Sequence, residues 1–254
     1  MSIPAFVLAL GLLVGCCLTL FKLIQTGLAR YYRAFFAFFT FWVIQTGAGL
    51  LLGQSSKLYF RFWTLTLPVE WVLGMLVVRE LCGLVLERYR GLKTAGRWGM
   101  YAGVVIAAAI SILTLLPQLK PAQRSRVLPY IFPIERGINF SLAIFLLFMM
   151  FLLSRFPVKL SRNVIVHTAL YTIFFLSNAL NTLVHTFFGV GVPPMVDLSL
   201  LAVSAACTWL WFLLLSRKGE EVQMNLPHYT PEQEHRILMK LDALNATLLK
   251  VSHN

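Results

Sequence analysis

Ionisable and amide side chains inside long apolar segments are the residues of this chain whose types could do chemistry. Glu70 lies within one such segment, Glu135, Arg136 and Asn139 lie within another, and Asp197 begins a third. An ionisable side chain in hydrocarbon is expensive, so each one predicts a functional site or an interhelical pair. Arg136 offers a charge clamp for an anionic group, whereas Glu70 or Glu135 can hold a cation or an amine.

A further apolar segment carries a polar stripe. His167, Tyr171, Asn178, Asn181 and His185 follow one another at steps of four, seven, three and four residues, which keeps them on one helical face. We predict a ligand pocket whose residues are Glu70, Glu135, Arg136, Asn139, Asn178, Asn181, His185 and Asp197. The alternative is an interhelical hydrogen-bond network that only holds the helices together.

Seven apolar stretches hold these residues. They cover approximately residues 3–23, 34–52, 60–84, 99–116, 128–153, 164–188 and 195–215. A transmembrane helix needs about 20 mostly apolar residues, and 58% of the 254 residues are hydrophobic while only 13% are charged. We therefore predict an all-α membrane protein, with a bundle of seven transmembrane helices over residues 1–215 and a cytoplasmic tail over residues 216–254.

Basic residues predict the orientation of the bundle. The loops on one side of the seven stretches hold twelve Lys and Arg, and the loops on the other side hold five. Because Lys and Arg accumulate on the cytoplasmic side, we expect the N-terminus outside and the C-terminus inside the plasma (inner) membrane. The polar pocket then opens to the outside. The formal net charge of +12 is also explained by these membrane-flanking residues, which argues against a nucleic-acid partner.

The sequence of the tail predicts a short amphipathic helix over about residues 231–251. Thr230, Pro231 and Gln233 form a helix start with a capping box. Five apolar residues then recur at the a and d spacing of a coiled coil: Ile237, Leu241, Leu244, Leu248 and Val251. An isolated helix of this length is marginal, so we expect this seam to bury against a second copy, a protein partner, the bundle or the bilayer surface.

The fourth apolar stretch carries small residues at four-residue steps, namely Gly99, Gly103, Ala107 and Ser111. Such a ridge lets another helix approach closely, either within the bundle or in a second protomer. The four cysteines all fall inside predicted helices, so no disulfide framework is expected.

Sequence signatures of several common chemistries are missing. No HExxH, GxSxG, P-loop or GxGxxG motif occurs. No lysine lies deep in the predicted bundle to carry a retinal Schiff base, and the two histidines inside the stretches share one helix, which excludes their joint ligation of a haem. We expect no cofactor and no metal site.

Short motifs in the third and fifth stretches carry a family resemblance. The aromatic run of residues 59–63 precedes Glu70 and Glu80, and the triplet Ile134, Glu135 and Arg136 follows later. This pattern resembles an uncharacterised group of bacterial seven-transmembrane-helix membrane proteins, with an aromatic cluster and two glutamates in helix 3 and a Leu-Glu-Arg triplet in helix 5. Pro68 near Glu70, the Arg before Glu80 and the Ile before Glu135 depart from it. The resemblance implies the fold and no activity.

These observations favour a non-enzymatic sensor or receptor-like protein that binds a small molecule or lipid from the outer side. Its relay would run through the basic inner loops and the tail helix. A structural or assembly subunit of a larger membrane complex is the second hypothesis, with the small-residue ridge and the tail seam as docking surfaces. The third is a small transporter or intramembrane enzyme in which Glu70 and His185 carry protons.

Overall fold

The computed structural model describes residues 3–53, 56–86, 90–113, 128–155, 159–188, 194–221 and 223–225, together with ten residues between 232 and 247. These ranges contain seven long helices: α1 (Ile3–Gln25), α2 (Arg33–Leu52), α3 (Lys57–Val85), α4 (Arg90–Leu113), α5 (Leu128–Arg155), α6 (Arg162–Phe188) and α7 (Pro194–Leu214). A 3-10 turn, Leu28–Arg30, joins α1 to α2, and a short helix α8 (Arg217–Glu221) follows α7. The predominantly helical fold predicted from the sequence is confirmed.

Among the described residues, five helices are long and apolar enough to cross a membrane: α1, α2, most of α6, α7 and residues Ile134–Phe151 of α5. Large apolar side chains point away from the bundle, such as Ile3 at 82%, Leu51 at 88% and Leu213 at 65% exposure. In water such a surface would drive association, whereas in hydrocarbon it is the ordinary exterior. The chain is therefore a membrane protein. α3 and α4 are also long, with 29 and 24 residues, but carry five and three charged side chains.

The bundle is organised around α6. α6 packs against α5 and α7 and also contacts α3, while α1 packs on α7 and α2, α2 on α3, and α4 on α5. Rings from three helices meet beside the N-terminal half of α6. The Tyr171 ring lies 5.8 Å from Phe35 of α2 and 4.7 Å from Trp211 of α7, centroid to centroid. Such pairs add about 0.5–1.5 kcal/mol each beyond the burial of their area. This aromatic core fixes α6 against α2 and α7.

Two short strands depart from the all-helical prediction. β1 (Lys159–Ser161) pairs antiparallel with β2 (Gln223–Asn225), with Leu160 opposite Met224. β1 directly precedes α6, and β2 belongs to the predicted tail. Three-residue strands are too short to show a periodicity, so the sequence does not predict this pairing. The ribbon joins the start of the tail to the bundle.

The small-residue ridge meets a helix of the same chain at one described position. A Cβ added at Gly103 would lie 3.3 Å from Ser141 Oγ of α5, whereas nothing lies within 4 Å of one added at Gly99. The side chains of Ala107 and Ser111 lie outside the described residues. At Gly103, the close approach that the ridge predicts therefore occurs inside the bundle.

The tail helix is described only at some of its positions. All ten described residues between 232 and 247 are helical, and nine of them are exposed. The predicted seam residues lie outside the described part of the chain: Ile237, Leu241, Leu244, Leu248 and Val251. Association through this seam stays a prediction.

Candidate functional site

A cavity of about 420 Å³ lies among α1, α2, α3, α5, α6 and α7. Six of the predicted site residues line it: Glu70 of α3, Glu135 of α5, Asn178, Asn181 and His185 of α6, and Asp197 of α7. The volume lies within the range of small-molecule sites, about 300–1,000 Å³. The structure thus brings polar side chains from four helices to one cavity.

Two predicted residues lie elsewhere. Arg136 is not among the lining residues of the cavity, although its neighbour Glu135 is. Successive residues of a helix point about 100° apart, so these two side chains face different directions. Asn139 instead lines a small adjoining cavity of about 10 Å³, together with Glu70, Glu135 and Asn178. The predicted anion clamp at Arg136 is therefore not part of the main cavity.

The cavity lining also includes residues outside the predicted set, among them Gln45 of α2, and Tyr59 and Trp63 of α3. Gln45 is 8% exposed, and its Nε2 donates a hydrogen bond of 3.3 Å to Glu70 Oε2. A sequence signal for Gln45 existed, because it is the one amide side chain in the apolar sequence of α2. Tyr59 and Trp63 belong to the aromatic run that opens α3. They give the cavity an aromatic wall beside the carboxylates.

His185 and Asp197 connect α6 to α7 at the most exposed part of the cavity lining. His185 Nε2 lies 2.7 Å from Asp197 Oδ1, and the two side chains are 24% and 63% exposed. Asp197 also lies in the first turn of α7, where the helix dipole favours a carboxylate. Their contact is an ion pair only when the imidazole is protonated. The pair positions the C-terminal end of α6 against the start of α7.

Hydrogen-bond donors along this part of α6 are directed back to the helix. Asn178 Nδ2 donates to the Phe174 carbonyl at 2.9 Å, and Thr182 Oγ1 donates to the Asn178 carbonyl at 2.8 Å. Asn181 Oδ1 is buried and accepts no hydrogen bond from any described residue. A buried acceptor left unpaired costs about 1–3 kcal/mol. The donors of Asn178 and Thr182 are engaged within the helix.

The opposite end of α6 contacts the tail. Glu220 Oε2 of α8 accepts hydrogen bonds from Tyr32 Oη at 2.8 Å and from Asn163 Nδ2 at 3.0 Å. Asn163 Nδ2 also donates to the Ser216 carbonyl at 2.8 Å. A Cβ at Gly219 would displace the Asn163 side chain, whose Oδ1 lies against it, so glycine at this position preserves the contacts of Asn163. We name Tyr32, Asn163, Ser216 and Glu220 the tail latch.

The Tyr32 hydroxyl is the protonated donor of the latch. Burial raises the pKa of Tyr32 well above its usual range, and the neighbouring Glu220 carboxylate raises it further. Tyr32 is 0% exposed and its ring lies 4.4 Å from that of His167, centroid to centroid. Its phenol therefore stays protonated and keeps donating to Glu220 throughout the physiological range.

Glu80 of α3 stabilises the start of α2. Its carboxylate accepts the backbone N–H groups of Ala34 at 3.0 Å and Phe35 at 3.2 Å. The first N–H groups of a helix have no partner within the helix, and Tyr32, at the N-cap of α2, supplies no side-chain acceptor. Glu80 thus acts as a cap from a neighbouring helix. This structural role accounts for the second glutamate of the motif in α3.

The N-terminal half of the predicted polar stripe belongs to the core. His167 and Tyr171 are 0% exposed, and the His167 ring lies 4.4 Å from that of Phe35. Neither ring nitrogen of His167 nor Tyr171 Oη has a hydrogen-bond partner among the described residues. The stripe thus divides into a cavity-lining half, which contains Asn178, Asn181 and His185, and a core half.

Neither residue geometry nor similarity assigns a chemistry to the site. Among the described residues, no group of three or more His, Cys, Asp and Glu side chains is placed to hold a metal ion. Comparison with protein-family models, curated proteins and solved structures found no match for the chain.

Proposed function

We propose that the chain is a non-enzymatic seven-helix membrane sensor that binds a small ligand in the cavity. The N-terminus lies outside and the C-terminus lies in the cytoplasm, so the cavity faces outward and the tail latch faces inward. The excess of Lys and Arg in the loops next to the latch supports this orientation. The main support for the proposal is that α6 contributes residues to both the cavity and the latch.

α6 is part of both the cavity and the latch. In its C-terminal half, α6 lines the cavity with Asn178, Asn181 and His185. At its N-terminal end, Asn163 donates a hydrogen bond to Glu220 of the tail. Packed helices change position between discrete arrangements, because a close-packed interior does not deform continuously. A ligand that favours one position of α6 therefore also changes the strength of the latch. The tail then transmits the signal by binding a cytoplasmic partner through its helix.

Native mass spectrometry of the full chain, purified gently from its own membranes, tests this function. We expect one small-molecule mass bound per chain. Thr46→Phe places an aromatic ring on a residue that lines the cavity, so this variant is expected to lose the bound mass. Thr40→Phe is the matched control, because Thr40 lies on the same helix and is exposed on the outside of the bundle. That variant is expected to keep the bound mass.

Two results would contradict the sensor. One is a bound mass that survives Thr46→Phe, which would place the ligand outside the cavity. The other is a stoichiometric protein partner with no small molecule, which would favour an assembly subunit that docks through the tail seam.

A further inference from the structure

Acidic side chains outnumber basic ones in the cavity lining, where His185 is paired with Asp197. Glu70, Glu135 and Asp197 contribute carboxylates, and no lysine or arginine in the described part of the chain lines it. Acidic side chains in a site of low dielectric ionise beside a cation, which stabilises their charged form, whereas an anion gains no opposite charge from them. Arg136, the residue that would have favoured an anion, does not line it. The acidic lining of the cavity therefore favours a positively charged ligand.

Hydrogen-bonding capacity selects for the same class. Gln45 Nε2 already donates a hydrogen bond to Glu70, and Asn178 Nδ2 already donates one to the Phe174 carbonyl. A carboxylate or phosphate ligand would have to compete with these acceptors for the amide N–H groups.

Cavity size and the aromatic wall distinguish an organic cation from a metal ion. Tyr59 and Trp63 lie one helical turn apart on α3 and both line the cavity. Aromatic faces attract ammonium groups and bury the alkyl chain attached to them. The volume of about 420 Å³ suits a small organic molecule. Metal coordination would require more oxygen ligands around one point than two glutamates supply.

We infer that the cavity binds a small organic cation with a protonated primary amine. Glu70 and Glu135 hold the ammonium group, and Tyr59 and Trp63 contact its alkyl part. The inference rests on the proposed ligand-binding function and adds the class of ligand. It also assigns different tasks to the two glutamates of α3, since Glu70 binds ligand and Glu80 caps α2.

Three probes of similar size separate charge from shape. n-Butylammonium, butyrate and n-butanol are added separately to the full chain in lipid nanodiscs at neutral pH, and binding is measured by titration calorimetry and by the shift in melting temperature. We expect n-butylammonium to bind and to raise the melting temperature with concentration. Butyrate and n-butanol are expected to leave the melting temperature unchanged.

Variants connect the binding to the named atoms. Glu70→Gln and Glu135→Gln preserve side-chain shape and remove one acidic group each, so each is expected to weaken n-butylammonium binding about tenfold or more. Asn181→Asp is expected to tighten binding, because it adds a carboxylate to the cavity lining. Arg136→Gln is the control, and its affinity is expected to stay within about twofold of the parent. Melting temperatures without probe identify any variant that fails to fold.

The contradicting results separate the two proposals. Binding of butyrate or n-butanol that Thr46→Phe abolishes would overturn the cationic ligand and leave the ligand-binding function standing. The absence of n-butylammonium binding, or n-butylammonium binding unchanged in both glutamine variants, would also overturn the cationic ligand. Binding of any probe that persists unchanged in Thr46→Phe would instead place ligand binding outside the cavity and overturn the proposed function.

Discussion

Removal of the Glu220 carboxylate is expected to release the first part of the tail from the bundle. Glu220 Oε2 accepts one hydrogen bond from Tyr32 Oη and another from Asn163 Nδ2, across 188 and 57 residues of sequence. The side chains of both donors, Tyr32 and Asn163, are 0% exposed. Glu220→Ala therefore removes the acceptor that two buried groups share.

The size of the effect follows from these two bonds. A hydrogen bond to a charged group contributes about 1.5–3 kcal/mol. Asn163 keeps its second bond, to the Ser216 carbonyl, and Glu220 itself is half-buried, so the lower end of this range applies. Two bonds then give about 3 kcal/mol, which corresponds to latch opening on the order of 100-fold more frequent.

Hydrogen exchange measured by mass spectrometry on the full chain in lipid nanodiscs reports this opening. Peptides that cover α8 and β2 are expected to exchange faster in Glu220→Ala, while peptides from the aromatic core of α6 keep their protection. Glu221→Ala is the matched control, because Glu221 is the adjacent residue of α8 and is exposed. Equal exchange of α8 and β2 in the two variants would refute the latch.

Three further predictions concern single sites. Glu80→Ala removes the acceptor for two N–H groups of α2, so the free energy of unfolding in detergent is expected to fall by about 2 kcal/mol. A smaller decrease in Glu80→Gln would identify Glu80 as the cap. The raised pKa of Tyr32 means that the folded chain keeps a proton which the unfolded chain releases near pH ~10. The stability difference between the parent and Tyr32→Phe is thus full below that pH and shrinks above it, and a pH-independent difference in melting temperature would contradict the buried phenol. Gly103→Leu forces a side chain against Ser141 of α5 and is expected to destabilise the bundle by about 1–3 kcal/mol, whereas Gly99→Leu meets open space and is expected to leave the melting temperature nearly unchanged.

Helix positions followed from composition because lipid-facing segments must be long and apolar. The predicted stretch of residues 164–188 and the helix Arg162–Phe188 differ by two residues at one end. The ribbon of β1 and β2 could not be predicted, since its pairing is set by contacts between residues more than 60 positions apart. Backbone hydrogen bonds between distant short segments leave no local pattern in a sequence.

Site residues could be predicted where a polar side chain interrupts an apolar helix. Asn178, Asn181 and His185 share a face of α6, and their spacing was enough to place them together. Glu135 and Arg136 show the limit, because adjacency in sequence suggested a joint role while the helical rotation separates them. Tyr32 and Glu220 show another limit, since nothing in either local sequence connects residues that are 188 positions apart.

Access to the cavity from the outer side, together with protection by an organic cation, is the most direct test of the account. Thr46→Cys places a thiol on the cavity wall, and Cys17→Ser removes the exposed native thiol, while the other three cysteines are buried. A membrane-impermeant maleimide that carries a quaternary ammonium group is then applied to intact cells and to inverted membrane vesicles. The account predicts labelling in intact cells only, slowed by n-butylammonium. Labelling confined to inverted vesicles, or a rate in intact cells that n-butylammonium does not change, would contradict it.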